Sequence, residues 1–144
     1  MSMNKKMDLA KRIIVALDVG SREEALPLIR QVEGVEIFKV GLKLFTAEGP
    51  SLLREVKILQ KKIFLDLKLH DIPNTVAEAV KVAVKLRVHM LTLHSSGGRE
   101  MMERAVDAAN KEAEKEGTDK PLLLAVTILT SLKDDQLQEI GMSA

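Results

Sequence analysis

The sequence predicts an α/β fold, specifically a partial TIM barrel of the (β/α)8 type with about five parallel strands and intervening helices. Short apolar runs alternate with segments of helical periodicity, as expected of βα units. Each unit is roughly 25 to 30 residues long, which suits the crossover between parallel strands. Polar residues follow several strands, at the end where a barrel carries its site. A complete barrel needs eight strands and about 250 residues, so these 144 residues supply part of one.

A doubly wound sheet is the alternative built from the same units, but a glycine-rich phosphate loop usually follows its first strand. Gly20 stands alone at that point, and the chain contains no G-x-G-x-x-G pattern. The polar residues at the predicted strand ends are Asp18, Lys39, Asp66 with Lys68, His94, and Thr130 with Ser131. Because a barrel gathers such residues at one mouth, we predict the barrel.

The composition describes a globular chain that we interpret as a single domain over residues 1–144, with 1–11 as a flexible lead-in. Apolar residues make up 46% and charged residues 30%, and the net charge is +1. This balance predicts no nucleic-acid or membrane-surface partner. Cysteine is absent, which excludes thiolate and disulfide chemistry. No run approaches the ~20 apolar residues of a membrane span, and the polar start lacks a signal-peptide core, so we predict a cytoplasmic protein.

The first βα unit is predicted to begin with a strand over residues 12–18, apolar on both faces and ended by Asp18. Ser21 and Glu24 form an S-x-x-E capping box that begins a helix, and Gly34 is placed to end it. The predicted buried stripe of this helix comprises Ala25, Leu28, Ile29 and Val32.

The second unit is predicted to contain a strand over residues 36–42, with Lys39 in its middle. Gly49 and Pro50 are expected to start its helix, because proline is tolerated in the first helical turn. The inner face of that helix is predicted to hold Leu52, Leu53, Val56 and Leu59.

The third strand, predicted over residues 63–69, contains the two charges that organise the chain. Asp66 and Lys68 are two residues apart, so both side chains leave the same face of an unbroken strand. Charges in so apolar a run are costly unless they are paired. Asp71 follows, and Pro73 marks the boundary of the next helix. Two carboxylates around one lysine suit a charged reaction centre, and a purely structural ion-pair cluster is the alternative.

The rest of the chain continues the alternation of helices and strands. Asn74 or Thr75 is expected to cap a helix whose buried stripe is Val76, Ala79, Val80 and Ala83. A strand over 88–94, the turn Ser95-Ser96-Gly97-Gly98, a helix over 99–116, a strand over 122–129 and a short helix over 135–140 are predicted to follow.

The strand ends together match a known family in order. They are Ala16-Leu17-Asp18, Phe38-Lys39-Val40-Gly41, Asp66-Leu67-Lys68-Leu69-His70-Asp71-Ile72-Pro73 and Leu129-Thr130-Ser131. With these segments the chain resembles orotidine 5′-phosphate decarboxylase from Arg12 onward. The D-x-K-x-x-D pattern is moderately specific by itself. It is highly specific together with His70, Ile72-Pro73, the aspartate of the first strand and the lysine of the second. The resemblance stops where the family continues with its last three strands.

The resemblance implies conversion of orotidine 5′-phosphate to uridine 5′-phosphate (UMP), the last step of de novo pyrimidine synthesis, without metal or cofactor. The catalytic residues it implies are Lys39, Asp66, Lys68 and Asp71. Lys68 would protonate C6 of the pyrimidine as carbon dioxide leaves. Asp66 would lie beside the substrate carboxylate, and Lys39 would hold Asp66 and the ribose end of the site in place. Alternating charges of this kind keep both lysines protonated.

The resemblance also implies substrate contacts and a homodimer. Asp18 would bind the ribose hydroxyls, and Thr130 would contact the pyrimidine. Asp71, with Ile72 and Thr75 beside it, would reach across the dimer interface into the neighbouring subunit's site.

The alternative family is that of the magnesium-dependent sugar-phosphate decarboxylases and synthases of the same superfamily, which share D-x-K-x-x-D. They resemble the chain less at the second strand, where they place a glutamate as metal ligand. Lys39 stands there instead, and a cation would repel the ion. We therefore predict no metal site.

Several of these residues also have simpler structural roles. Asp18 could cap the turn into the first helix, and Thr130 could merely finish its strand. His94 is expected to be a hydrogen-bonded structural histidine. The turn from Ser95 to Gly98 could bind phosphate at a helix N-terminus, although a cap and turn is the simpler interpretation.

The family takes its phosphate grip from loops after the later strands, which these 144 residues do not include. The chain by itself is therefore expected to be a poor catalyst or none. Unpaired sheet edges would favour assembly. The alternative function is a non-catalytic half-barrel that self-associates or needs a C-terminal complement.

Overall fold

The structure is a computed structural model that describes residues 9–141, in which five parallel strands form one sheet in the order β1-β2-β3-β4-β5. The strands are β1 (Ile14–Ala16), β2 (Ile37–Gly41), β3 (Lys62–Leu69), β4 (Met90–His94) and β5 (Leu122–Val126). The helices are α1 (Arg22–Gln31), α2 (Leu42–Ile58), α3 (Pro73–Lys85), α4 (Arg99–Glu116) and α5 (Asp134–Glu139), with a 3₁₀ turn at Ser95–Gly97. This sequential parallel order is that of a partial barrel, as predicted.

The strand register sets which side chains meet at the carboxyl edge of the sheet. Ala16 of β1 pairs with Lys39 of β2, and Gly41 of β2 pairs with Asp66 of β3. The pairing of β3 with β4 shifts between Leu65 and Leu69, which marks a bulge next to the charged residues. Bulges re-aim side chains and are common beside functional sites.

The core lies between one face of the sheet and the helices. Phe38, Val40, Ile63 and Leu65 point into it and are at most 2% exposed. The alternate residues of β2 and β3 lie on the other face, which is only partly covered. Ile14 is 40% exposed on β1, so this strand is apolar as predicted, but the prediction that both of its faces are covered is wrong. The open face is the inner side of the partial barrel.

The start of α2 differs from the prediction. It begins at Leu42, directly after β2, and not at Gly49 and Pro50. Gly49 has φ 64° and ψ −163° and kinks the helix there, because glycine tolerates positive φ and proline needs a helix start or a break. Buried Leu44 anchors the first segment against the core. The sequence therefore predicted the interruption at Gly49 and Pro50 correctly, but it did not predict the short helical segment that precedes them.

The ends of other elements also differ by a few residues from the predicted ends. α3 begins at Pro73 with Ile72 as its N-cap and no side-chain cap, so the predicted caps Asn74 and Thr75 are wrong. Proline at the first position removes one of the donors that a cap would satisfy. β5 ends at Val126 and not at 129. Leu28 is 38% exposed and lies outside the buried stripe of α1.

Other local predictions are confirmed. Ser21 caps α1, and its hydroxyl accepts the N–H of Glu24 at 3.4 Å. α4 covers the predicted residues, and Gly117 ends it with φ 59°. Of the predicted flexible lead-in over 1–11, residues 1–8 lie outside the described part. Lys11 lies inside it and pairs with Glu36 at 3.4 Å.

Candidate active site

A row of alternating charges lies at the carboxyl edge of the sheet. Lys39 Nζ lies 3.4 Å from Asp18 Oδ1 and 3.7 Å from Asp66 Oδ2. Lys68 Nζ lies 2.8 Å from Asp66 Oδ1. Four residues from three separate strand regions thus form one continuous chain of opposite charges, which the register of β1, β2 and β3 brings together. Parallel strands place their carboxyl ends at one edge, so residues distant in sequence meet there.

Lys68 reaches this row through an irregular backbone. Its φ is 51°, in the left-handed region that costs a non-glycine residue free energy. The backbone N–H of Lys68 donates to Thr92 Oγ1 at 2.9 Å, where a regular strand would use a ladder bond. β3 runs as one strand from Lys62 to Leu69, as predicted, but its backbone is irregular at Lys68 and its pairing with β4 shifts register there.

Thr92 is the site residue that sequence reasoning missed. It lies in the middle of β4, is 3% exposed, and donates its hydroxyl proton to Asp66 Oδ1 at 2.9 Å. The hydroxyl oxygen of Thr92 in turn accepts the backbone N–H of Lys68. A threonine inside the apolar run Met90–His94 was the available signal, because a buried hydroxyl needs hydrogen-bond partners.

Asp66 is the centre of the electrostatic network, with its side chain 13% exposed. Burial is the largest influence and raises the pKa of Asp66. Hydrogen bonds from Lys68 and Thr92, with the charges of Lys68 and Lys39, outweigh it and hold the pKa below its ordinary value of 3.8. Asp66 is therefore a carboxylate at neutral pH.

A cavity of about 560 Å³ opens beside the charged row, a size that suits a nucleotide. Its lining residues come from the strand ends and the segments that follow them. They are Leu17, Asp18, Val19, Lys39, Gly41, Leu42, Lys43, Leu44, Asp66, Leu67, Lys68, His94 and Leu129. Four of the predicted site residues, Asp18, Lys39, Asp66 and Lys68, therefore share one cavity.

Thr130 lies in a second cavity of about 490 Å³ on the β4–β5 side of the charged row. This second cavity shares Asp66, Lys68 and Leu129 with the first. The Asp66–Lys68 ion pair therefore lines both cavities, with Asp18 in the first and Thr130 in the second. Thr130 follows β5 by four residues and is not part of the strand.

Asp71, Ile72 and Thr75 line neither of these two cavities. Asp71 Oδ1 accepts the backbone N–H of Ile72 at 2.6 Å, and Ile72 is 67% exposed. All three residues lie on the surface. The structure therefore does not bring them to the charged row of their own chain.

His94 lines the first cavity, and its ring centroid lies 5.4 Å from that of His70. Within residues 9–141, no hydrogen bond of its side chain is found, so the prediction of a hydrogen-bonded histidine is not supported. Ser95–Gly97 forms a 3₁₀ turn, and Gly98, with φ 86°, leads into α4.

Two further features concern ligand and membrane classes. Across the described residues, no three His, Cys, Asp or Glu side chains are placed to hold a metal ion. No helix in residues 9–141 combines the length and apolar character needed to cross a membrane.

Comparison with known proteins gives the family. A family model described as Orotidine 5'-phosphate decarboxylase / HUMPS family matches residues 11–143. The chain belongs to this family. The resemblance inferred from the strand-end residues is confirmed.

Curated members of the Orotidine 5'-phosphate decarboxylase / HUMPS family match over nearly the whole chain. The orotidine 5'-phosphate decarboxylase of Syntrophomonas wolfei is 50% identical over 134 residues, which is 92% of this chain and 56% of that relative. The one from Carboxydothermus hydrogenoformans is 46% identical over 134 residues, 92% of this chain and 55% of that relative. The chain therefore spans little more than half the length of these relatives.

A solved structure shows the same partial coverage of the family's barrel. The crystal structure of orotidine 5'-phosphate decarboxylase from Lactobacillus acidophilus matches with a TM-score of 0.82 and 38% identity. The match covers 90% of this chain and 58% of that one. The predicted partial barrel is thus confirmed at the level of the fold.

Proposed function

We propose that the chain carries the charged reaction centre of an orotidine 5′-phosphate decarboxylase, which converts orotidine 5′-phosphate to UMP and carbon dioxide. The observation that carries the proposal is the Lys39–Asp66–Lys68 sequence of ion pairs, at 3.7 and 2.8 Å, beside a nucleotide-sized cavity. The names of the curated relatives support the same reaction.

Lys68 is the proposed proton donor. Cleavage of the C6–carboxylate bond releases carbon dioxide and leaves its electron pair on C6 of the pyrimidine. An ammonium next to that carbon stabilises the negative charge and can transfer a proton to form the C6–H bond. Lys68 then regains a proton from solvent. The 2.8 Å bond to Asp66 Oδ1 and the backbone bond to Thr92 orient it for this step.

Asp66 and Lys39 complete the proposed centre. Asp66 is ionised and lies next to the proton donor, so it would crowd the substrate carboxylate until that group leaves. Lys39 bridges Asp66 and Asp18, which fixes the distance between the reacting end and the sugar end of the site. Asp18 would accept hydrogen bonds from ribose hydroxyls, since it lines the same cavity.

The pyrimidine is proposed to lie across the Asp66–Lys68 pair, between the two cavities that share it. Thr130 would contact the base from the second cavity, because its hydroxyl can both donate and accept a hydrogen bond. No step in this scheme is assigned to a metal or an organic cofactor.

A homodimer is part of the proposal. Asp71, Ile72 and Thr75 lie on the surface, away from the charged row of their own chain. An exposed isoleucine beside an exposed carboxylate suits an interface that buries the first and directs the second to a partner's site. We further propose that residues 1–144 form a single domain and that the enzyme is cytoplasmic.

Turnover of orotidine 5′-phosphate tests the proposed function. The chain is assayed alone and with a complementing fragment, defined here as the C-terminal part of the Syntrophomonas wolfei relative that this chain does not match. We expect little or no turnover by the chain alone, because remote phosphate contacts lower the barrier at the reacting carbon. Turnover should appear with the fragment. Absence of turnover in a soluble, assembled complex would contradict the proposal.

A non-catalytic half-barrel is the second candidate function. The edge strands β1 and β5 each have one unpaired side in the described sheet. Ile13, Leu122 and Ile128 are 50%, 56% and 44% exposed along or beside these edges. Such edges favour pairing with another chain. Size-exclusion chromatography over a range of concentrations tests this, and a clean monomer throughout would exclude self-association.

A further inference from the structure

The guanidinium of Arg22 joins the start of α1 to both sides of the kink in α2. Arg22 is the first residue of α1, and its Nε donates to Glu48 Oε2 at 2.6 Å, directly before the kink at Gly49. Beyond the kink, Nη2 donates to Ser51 Oγ at 2.9 Å and Nη1 donates to Glu55 Oε1 at 2.8 Å. The rigid fork of an arginine can hold several acceptors at once, whereas a lysine ammonium acts as a single point charge.

The carboxylate of Glu48 binds the backbone of α1 as well as the Arg22 side chain. Its Oε1 accepts the backbone N–H of Arg22 at 3.1 Å, one of the donors that the first turn of a helix leaves without a partner. The same carboxylate offsets the unfavourable position of a cation at the positive end of the helix dipole. The Glu48 side chain is 14% exposed, so this two-point contact between α1 and α2 is largely shielded from solvent.

Few core contacts hold the first segment of α2, residues 42–48. Leu44 is the buried residue of this segment, whereas Leu52, Leu53 and Val56 are buried beyond the kink. Gly49 adopts φ 64° and ψ −163°, a conformation nearly restricted to glycine, and a Cβ placed on it would have open space among the described residues. Packing at the bend therefore does not fix its angle, and the bonds from Arg22 to both sides of the bend do.

The two elements that Arg22 joins each provide part of the wall of the cavity beside the charged row. The loop from β1 into α1 provides Asp18 and Val19, and the start of α2 provides residues 42–44. The side chain of Asp18 is 76% exposed, and its ion pair with Lys39 is long, at 3.4 Å. The position of Asp18 therefore depends on the backbone of its loop, whose far end is fixed at Arg22.

We propose that Arg22 is a positioning residue of the candidate active site. Through Glu48 it fixes the distance between the loop that carries Asp18 and the first segment of α2, and hence the fit of the sugar end of the substrate. The inference rests on the proposed function, because it assigns a role toward the same cavity. Arg22 does not line that cavity, so it acts through the two walls that it joins. Because the proposed proton donor Lys68 lies on β3, a displaced wall should weaken substrate binding more than it slows the chemical step.

Two measurements test the inference on Arg22→Met, Glu48→Gln and the double variant. The first is steady-state turnover of orotidine 5′-phosphate by the complex with the complementing fragment, which separates KM from kcat. The second is hydrogen–deuterium exchange of the backbone amides of residues 42–48 in the chain alone, which needs no ligand. Thermal unfolding of each variant verifies that the fold is retained, and Glu48→Gln alone carries the test if Arg22→Met does not fold.

The matched control is Glu112→Gln. Glu112 also joins two helices, because it lies on α4 and pairs with Lys85 of α3 at 3.4 Å, and its side chain is 8% exposed. It does not line the cavity beside the charged row. Its substitution should therefore lower the stability without raising KM or the exchange rate of residues 42–48.

We expect Arg22→Met to raise KM by about three- to tenfold with kcat within about twofold, a part of the roughly 10²-fold that a misplacement of about 1 Å can cost. Exchange of residues 42–48 should become faster, because the contacts that close the segment are lost. Glu48→Gln should act in the same direction. The double variant should be no worse than Arg22→Met, because both substitutions break one contact.

Unchanged KM or unchanged exchange of residues 42–48 in Arg22→Met would overturn the inference while leaving the proposed function intact. An equal rise in KM in Glu112→Gln would do the same, because it would show that general destabilisation is the cause. Absence of turnover by the wild-type complex would overturn the proposed function and, with it, this inference.

Discussion

The hydroxyl of Thr92 donates a 2.9 Å hydrogen bond to Oδ1 of Asp66. The bond joins the middle of β4 to the carboxylate at the centre of the charged row. Because the same hydroxyl oxygen accepts the N–H of Lys68 at 2.9 Å, one buried side chain positions both members of the proposed acid–carboxylate pair. The reaction centre therefore depends on a residue that carries no charge.

Replacing Thr92 with valine should destabilise the fold and misplace Lys68. The change keeps the shape but leaves the Lys68 N–H without its acceptor, and a lost buried hydrogen bond of this kind costs about 1–3 kcal/mol. Urea unfolding measures the loss. Thr92→Ser keeps the hydroxyl and should retain most of the stability. Equal stability of Thr92→Val and the wild type would show that the two bonds contribute nothing.

Removing the ammonium of Lys68 should abolish catalysis. Lys68→Ala eliminates the proposed proton donor and the charge that stabilises the carbanion, so turnover in the complex with the complementing fragment should fall by at least about 10³-fold. Lys81→Ala is the matched control, because Lys81 forms an exposed pair with Glu78 on α3. Full turnover by Lys68→Ala would refute the proposed mechanism.

The stability contributed by Asp66 should depend on pH. Its pKa is lowered in the folded protein, so its ionised form stabilises the fold above the ordinary value of 3.8. This stabilisation is lost as the pH falls through the lowered folded value. At pH 7, Asp66→Asn should therefore lower the free energy of unfolding by about 1.5–3 kcal/mol, the range for hydrogen bonds to charged groups.

The pH experiment compares urea unfolding of the wild type and Asp66→Asn at several values from pH 7 down to pH 3. The other carboxylates are common to both proteins, so the difference between them isolates Asp66. That difference should shrink as the pH falls below about 4. A difference that stays constant over the whole range would mean that ionisation of Asp66 does not stabilise the fold.

Mixing two inactive variants tests whether Asp71 acts in a partner's site. In a hybrid dimer of Lys68→Ala and Asp71→Asn, one site contains both substitutions and the other contains neither. Random pairing of equal amounts makes half the dimers hybrid, so about one quarter of wild-type turnover should return in the presence of the complementing fragment. No recovery, with hybrid dimers verified by mass spectrometry, would place Asp71 in its own chain's site, and full turnover by Asp71→Asn alone would place it outside any site.

The sequence by itself determined the order of the elements and the partial barrel. Apolar runs of strand length, separated by helical stripes, left parallel pairing as the solution that buries both. It also determined that Asp18, Lys39, Asp66 and Lys68 would meet, because the carboxyl ends of neighbouring parallel strands share one edge. Each of these inferences depends on periodicity and chain order, which are local properties.

Tertiary structure decided the features that depend on contacts between distant residues. The bulge at Lys68 exists because Thr92, 24 positions away in the chain, accepts its N–H. The first segment of α2 forms because Leu44 is buried against the core, although Gly49 and Pro50 interrupt the helix after it. A sequence does not directly fix the distances between residues of separate elements, because these distances arise only when the elements pack together.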